Sequence, residues 1–275
     1  MFIKDLYLIL IMKHINFWVN FLTALPRSGT TLLGGLVNHS HLGVSPHSLL
    51  IEMIYNVYKL KDDEKYKNFP NENSFLNVCK NITYNYYEKS RYKYILDKGP
   101  WGTPYNLEML KKLQENRKFV ILYRNPLECL ASFCKFLKNN IEEEAHFYMS
   151  DQGAIGKNLL SIRNIIDQQE NFIIIYYEHL IKYPQLYVQK ICEFLEIPNV
   201  TIQLNEFQFD NIQYNDSVLG APLHKLRLDK IEKNKYDIET ILPKGIIQKY
   251  KNVKIIWTLI YLKLLSTLII LIVIN

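Results

Sequence analysis

Apolar residues along this chain fall into two patterns. Four short runs, Phe17 to Ala24, Tyr94 to Leu96, Phe119 to Tyr123 and Phe172 to Tyr176, are largely apolar and rich in β-branched and aromatic side chains. Continuous runs of this length predict strands of a parallel sheet covered on both faces. Between and around them lie stretches with helical spacing, at 30–38, 47–60, 73–90, 104–115, 126–138, 155–169 and 180–196. Pro104 and Pro126 sit at first-turn positions, and Pro184 lies early in its helix. Strand and helix in alternation predict a doubly wound α/β sheet. No internal repeat, long linker or low-complexity tract interrupts it, so one domain spanning about residues 15–254 is expected.

The two ends depart from this pattern. Residues 1–14 form an N-terminal extension whose apolar run, Leu6 to Met12, is far shorter than the 20 or so residues a bilayer span needs. No small-residue cleavage site follows it, which disfavours a signal peptide, and either Met1 or Met12 suits as a start. Residues 255–275 form a hydrophobic tail. From Ile255 to Ile274, fourteen residues are Ile, Leu or Val and one, Lys263, is charged. Each aliphatic residue favours insertion by about 0.3–0.6 kcal/mol against roughly 3 kcal/mol for the lysine. The balance predicts an apolar C-terminal helix that is either a membrane anchor or a buried or subunit-interface helix. As an anchor it would leave the folded domain in the cytoplasm, either free or at the cytoplasmic face of a membrane.

Composition narrows the function classes. The chain has 275 residues, 48% hydrophobic and 22% charged, which excludes disordered and collagen-like classes and supplies a sizeable core. Cys79, Cys129, Cys134 and Cys192 follow no paired or zinc-like spacing and suit buried thiols in a reducing compartment. A net charge of +6, scattered among acids, suits an anionic small ligand and falls short of a nucleic-acid footprint. Only six of the 33 basic residues are arginine, so an arginine inside a motif is the more informative.

One such arginine follows the first strand, in Leu25-Pro26-Arg27-Ser28-Gly29-Thr30-Thr31-Leu32. A strand, a tight glycine-containing turn and a helix N-terminus make an anion cradle. Backbone N–H groups converge there, the helix dipole favours negative charge, and hydroxyls add donors. Arg27 adds a planar fork suited to phosphate oxygens. The turn lacks the GxxxxGK[ST] pattern of a Walker motif, and its Ser and Thr residues also suit plain capping of a core helix. A second arginine, Arg124, ends the strand Phe119 to Tyr123, and the next helix carries Ser132. Ligands of open α/β sheets bind outside the carboxyl ends of the strands, where Arg124 and Ser132 suit a second phosphate. Pairing of Arg124 with Glu128 is the competing assignment.

Together PRSGTTLL, LYRNPLECLASF and YEHLIKYPQLYVQKICEFLEIP resemble the sulfotransferase family, most like the branch of the tyrosylprotein sulfotransferases and related bacterial and viral enzymes. The resemblance runs over about residues 15–252. It implies a P-loop-NTPase-like parallel sheet flanked by helices, and 3′-phosphoadenosine 5′-phosphosulfate (PAPS) as sulfuryl donor, with no metal required. It further implies that Pro26, Arg27, Ser28, Gly29, Thr30 and Thr31 wrap the 5′-phosphosulfate and that Arg124 and Ser132 hold the 3′-phosphate. Tyr177 would lie near the nucleotide, and Arg227, in His224-Lys225-Leu226-Arg227, would close over it. A core tyrosine and a solvated basic loop are the plain alternatives for these last two.

Sulfuryl transfer calls for neutralised donor charge, a stabilised leaving oxygen and a deprotonated acceptor. Lys98, at the end of a strand and before Gly99-Pro100, suits the second role and matches a lysine of the family; the alternative is a surface lysine paired to Asp97. Tyrosylprotein sulfotransferases carry adjacent glutamates after the first helix, and this chain does not. His47 falls nearest that place and titrates near neutral pH as a general base does, with Glu52 as the fallback. His39, His41 and His47 match no zinc spacing. The acceptor, a hydroxyl or amine on a sugar, lipid, small alcohol or peptide, is not specified by the aromatic stretch 53–92. A small-molecule kinase lacks its phosphate-gripping lysine here. A catalytically degenerate donor-binding protein is the other alternative.

Overall fold

In a computed structural model the structure describes residues 17–37, 40–45, 48–135, 140–202, 231 and 237–253. Five strands, β1 (Trp18–Ala24), β2 (Leu42–Ser45), β3 (Tyr94–Lys98), β4 (Phe119–Tyr123) and β5 (Phe172–Tyr176), form one sheet in the order β2-β3-β1-β4-β5. Every pairing in it is parallel. The expected doubly wound parallel sheet is therefore present, with β1 at its centre. β2 is a strand that periodicity does not reveal, because Leu42-Gly-Val-Ser is too short to show a repeat.

Side chains alternate across a strand, and here the alternation divides the core into two layers. Phe21 and Ile95 face a layer containing Trp101, Ile162 and Ile165, whereas Leu22 and Leu96 face one containing Leu33, Leu36, Val188 and Ile191. Helix α1 (Thr30–Val37) belongs to the second layer. The first is covered by α2 (Leu50–Tyr58), α4 (Glu72–Tyr87), α5 (Pro104–Leu113), α6 (Pro126–Cys134) and α8 (Ala154–Asp167), with the short helices α3 (Glu64–Asn68) and α7 (Ile141–Met149) between them in the chain.

Pro104 and Pro126 open their helices as expected. The stretch 180–196, expected as one helix, is two: α9 (Tyr177–Lys182) and α10 (Pro184–Leu195). The proline has no N–H to give and disfavours helical geometry at Tyr183, so the helix breaks and restarts. After them come α11 (Ile238–Ile241) and α12 (Lys244–Tyr250). All four cysteines are buried and unpaired. The N-terminal extension and the apolar tail lie outside the described residues, as do His39, His47 and Arg227. Among the described residues no helix is long and apolar enough to cross a membrane, and no three metal-ligating side chains cluster.

Candidate active site

Three parallel strands deliver the candidate residues to one rim of the sheet. β1 ends in the cradle, β3 ends at Lys98, and β4 runs into Arg124. Because Leu22 pairs with Lys98 and Ala24 with Leu122, the three strand ends lie side by side.

The cradle has an unusual backbone. Arg27 has φ of 66° and Gly29 of 96°, with Ser28 between them at negative φ. Alternating handedness of this kind turns successive N–H groups toward a common centre, which is an anion-binding concavity. A non-glycine residue in the left-handed region costs about 1–2 kcal/mol, so Arg27 needs external support. Arg124 provides it: one guanidinium nitrogen donates to the carbonyl of Arg27 at 3.0 Å. The Ser28 hydroxyl donates to the Leu25 carbonyl at 2.6 Å and ties the turn to the strand end. Thr30, which opens α1, is buried, and Pro26 and Thr31 are half-buried at the turn and in the first helical turn.

The second cluster interlocks with the first. Arg27 Nε donates to Ser132 Oγ at 3.2 Å, so the arginine of one motif meets the serine of the other. Arg124 is only 2% exposed. Its Nε and one terminal nitrogen each lie 2.9 Å from Glu128 Oε2, and its guanidinium stacks 4.3 Å above the Tyr177 ring. The Glu128 pairing weighed from the sequence is thus real, and it coexists with Arg124's position at the rim. Tyr177, the first residue of α9, is buried against Gly29. A Cβ built on that glycine would come within 2.6 Å of the ring. Arg27, Gly29, Arg124, Ser132 and Tyr177, drawn from three separate motifs, therefore form one contiguous unit.

Lys98 is half-buried at the end of β3. Burial, with a smaller contribution from the nearby Arg27 cation, lowers its pKa to about 8. The loop after it is fixed against α8: the Gly102 N–H donates to Ser161 Oγ at 2.7 Å, and the approach leaves no room for a side chain at Gly102. Asp97 does not serve as Lys98's partner. It faces the opposite layer, fully buried, where it accepts hydrogen bonds from the Tyr87 phenol and, at 3.2 Å, from Trp101 Nε1. Burial raises its carboxyl to about 7, an effect to which the Glu52 carboxylate adds and which the hydrogen bonds of Ser48, Tyr87 and Trp101 oppose. Glu52 itself is exposed in the first turn of α2. His41, read beside the other histidines, bonds the Pro198 carbonyl through Nε2 at 2.9 Å. The Asp97 network is what sequence reasoning missed. The available signal was an acid at an inward-facing position of an otherwise apolar strand.

A family model described as a sulfotransferase domain matches residues 20–253 of the chain. Among solved structures, the sulfotransferase domain from the Synechococcus PCC 7002 olefin synthase aligns with a TM-score of 0.50 at 20% identity, covering 76% of this chain and 85% of that one. The sulfotransferase domain from the curacin biosynthetic pathway aligns with a TM-score of 0.50 at 17% identity, covering 88% and 92%. At these identities the structural likeness concerns the fold. No curated protein matches the chain.

Proposed function

The chain belongs to the sulfotransferase domain family and is an enzyme of sulfuryl transfer, and from that premise we propose that its donor is PAPS, held across the rim by the two interlocked basic clusters. In this reading the backbone of Pro26 to Thr31 and the Arg27 fork take the 5′-phosphosulfate, while Arg124 and Ser132 take the 3′-phosphate. Tyr177 backs the nucleotide site, and Arg227, outside the described residues, closes over it. Lys98 neutralises the phosphate oxygen that leaves as the sulfuryl group departs. His47, also outside the described residues, and Glu52 are the candidates for receiving the acceptor's proton directly. No metal ion enters the reading. The acceptor is a hydroxyl or amine of unassigned class.

The observation that carries this reading is the direct bonding of Arg27 to Ser132 and of Arg124 to the Arg27 carbonyl, at 3.2 and 3.0 Å. It joins the two basic motifs into one unit at the rim, where a nucleotide carrying two phosphates can meet both. Calorimetric titration of the full chain with adenosine 3′,5′-bisphosphate and separately with ADP tests it. Strong preference for the 3′-phosphorylated nucleotide is expected. Equal or tighter binding of ADP removes the donor assignment and restores the small-molecule kinase.

A further inference from the structure

Sulfuryl transfer must dispose of the acceptor's proton, and a polar chain in this fold leads from the rim into the protein. It begins at Ser45, the last residue of β2, which is half-buried at the rim. Ser45 pairs with Asp97 in the register of β2 and β3, so the two side chains leave the same face of the sheet. Between them stands the Tyr87 phenol from the end of α4. It lies near the hydroxyls of Ser45 and Ser48, which favour its charged form, and it donates to Asp97. Trp101 Nε1 holds the other carboxyl oxygen of Asp97 at 3.2 Å and its backbone carbonyl at 3.0 Å. Tyr87, Asp97 and Trp101 are thus held together, with Ser45 at the rim end beside them and Asp97 in the core.

We propose that the acceptor's proton leaves along this chain, from Ser45 through Tyr87 to Asp97, in place of direct transfer to His47 or Glu52, so that Asp97 acts on the acceptor at a distance. The inference rests on sulfuryl transfer from PAPS. In the step, a bond forms between the acceptor oxygen and sulfur as the bond from sulfur to the donor's phosphate oxygen breaks. That electron pair departs on the phosphate, beside Lys98. The acceptor's proton passes to Ser45 Oγ, the serine's to Tyr87 Oη, and the phenol's to Asp97 Oδ2. After product leaves, the same path run backwards returns the proton to solvent. An ordinary aspartate is too weak a base at neutral pH to drain such a relay. Burial of this one raises it to about 7, in the range where a base both stays deprotonated and accepts a proton. The titratable groups facing it are Tyr87 from α4 and Glu52 from α2. Burial and the neighbouring carboxylate raise the phenol well above its usual range, so it stays protonated and passes a proton without holding a charge.

The test uses the full chain with radiolabelled PAPS and water as the acceptor, reading released sulfate, alongside calorimetry with adenosine 3′,5′-bisphosphate. For the unaltered protein, kcat/KM should fall about tenfold per pH unit below about 7. Asp97→Asn should lower kcat about 100-fold or more, flatten that acid limb and leave nucleotide affinity within about twofold. Ser45→Ala, at the half-buried outer end, should lower kcat about tenfold or more with the same nucleotide affinity. Infrared spectroscopy of the unaltered protein should show a protonated-carboxyl band that titrates near pH 7 and is missing from Asp97→Asn. An acid limb that survives in Asp97→Asn, or an unaltered rate in Ser45→Ala, overturns the relay. So does a limb that disappears in Glu52→Gln instead. If Asp97→Asn does not fold, Ser45→Ala and the infrared titration decide. If the unaltered protein neither binds the bisphosphate nor releases sulfate, the donor reading fails and takes the relay with it, an outcome set apart by the binding arm.

Discussion

Replacing Gly29 by alanine probes whether the cradle, Tyr177 and Arg124 act as one unit. Two penalties are legible in the geometry. The backbone at Gly29 has φ of 96°, a conformation that costs a residue with a Cβ about 1–2 kcal/mol. The new methyl would also stand 2.6 Å from Cδ2 and 2.7 Å from Cε2 of Tyr177, so the ring must retreat to 3.4 Å or more. That ring carries the Arg124 guanidinium at 4.3 Å, a contact worth about 0.5–2 kcal/mol, and Arg124 in turn supports the Arg27 carbonyl. Together the two effects come to about 2–4 kcal/mol, or a fall in Tm of roughly 5–15 °C for a domain of this size. Differential scanning calorimetry of Gly29→Ala reads this directly, and titration with adenosine 3′,5′-bisphosphate reads the damage to the cradle. A second background separates the causes. In Tyr177→Ala the clash is gone and only the backbone penalty remains, so adding Gly29→Ala there should cost about 1–2 kcal/mol. An unchanged Tm for Gly29→Ala refutes the reasoning outright. An equal penalty in both backgrounds refutes the coupling through the ring.

Two further substitutions separate binding from turnover. Arg124→Ala should weaken adenosine 3′,5′-bisphosphate by about 2 kcal/mol or more, as loss of a charge-assisted contact does; an unchanged dissociation constant by calorimetry removes Arg124 from the nucleotide site. Lys98→Ala should lower kcat far more than donor affinity, and equal losses in both would make it a binding residue only. Lys98 also sets an alkaline limb. Its ammonium is charged below about pH 8 and neutral above, so kcat/KM of the free enzyme should fall as pH rises through about 8. The limb in kcat should lie higher, because the bound donor's negative charge favours the protonated lysine.

The parts of this molecule that sequence reading recovered share a physical character, and so do those it missed. β1, β3 and β4 were legible because strands covered on both faces are apolar along most of their length, and β5 was legible because it keeps such a run although it is half-buried at the sheet edge. The turn after β1 and the place of Arg124 at the rim were legible because a strand that runs into a helix has a particular local grammar: small polar residues at the helix start, and a charged residue where the apolar run stops. β2 left no trace because four edge residues with a glycine carry no period. The break before Pro184 was written in the chain, since proline restricts the residue before it, but helical periodicity on both sides hid it. Residue roles that depend on pairing were harder. Glu128 is four residues from Arg124 and its pairing was within reach of local spacing, whereas Arg124's contact to the Arg27 carbonyl reaches 97 positions back and was not. Asp97 is the sharpest case. Parity alone sets it opposite Lys98, in the layer of Ile95 and Phe21, and a carboxyl there must find donors or stay protonated. The phenol that meets it lies just ten residues back. Only the path of the chain from the end of α4 into β3 brings the two together, and no local pattern encodes that path. An inward-facing acid at the end of an apolar strand is therefore the feature in such a sequence from which to start looking for proton chemistry.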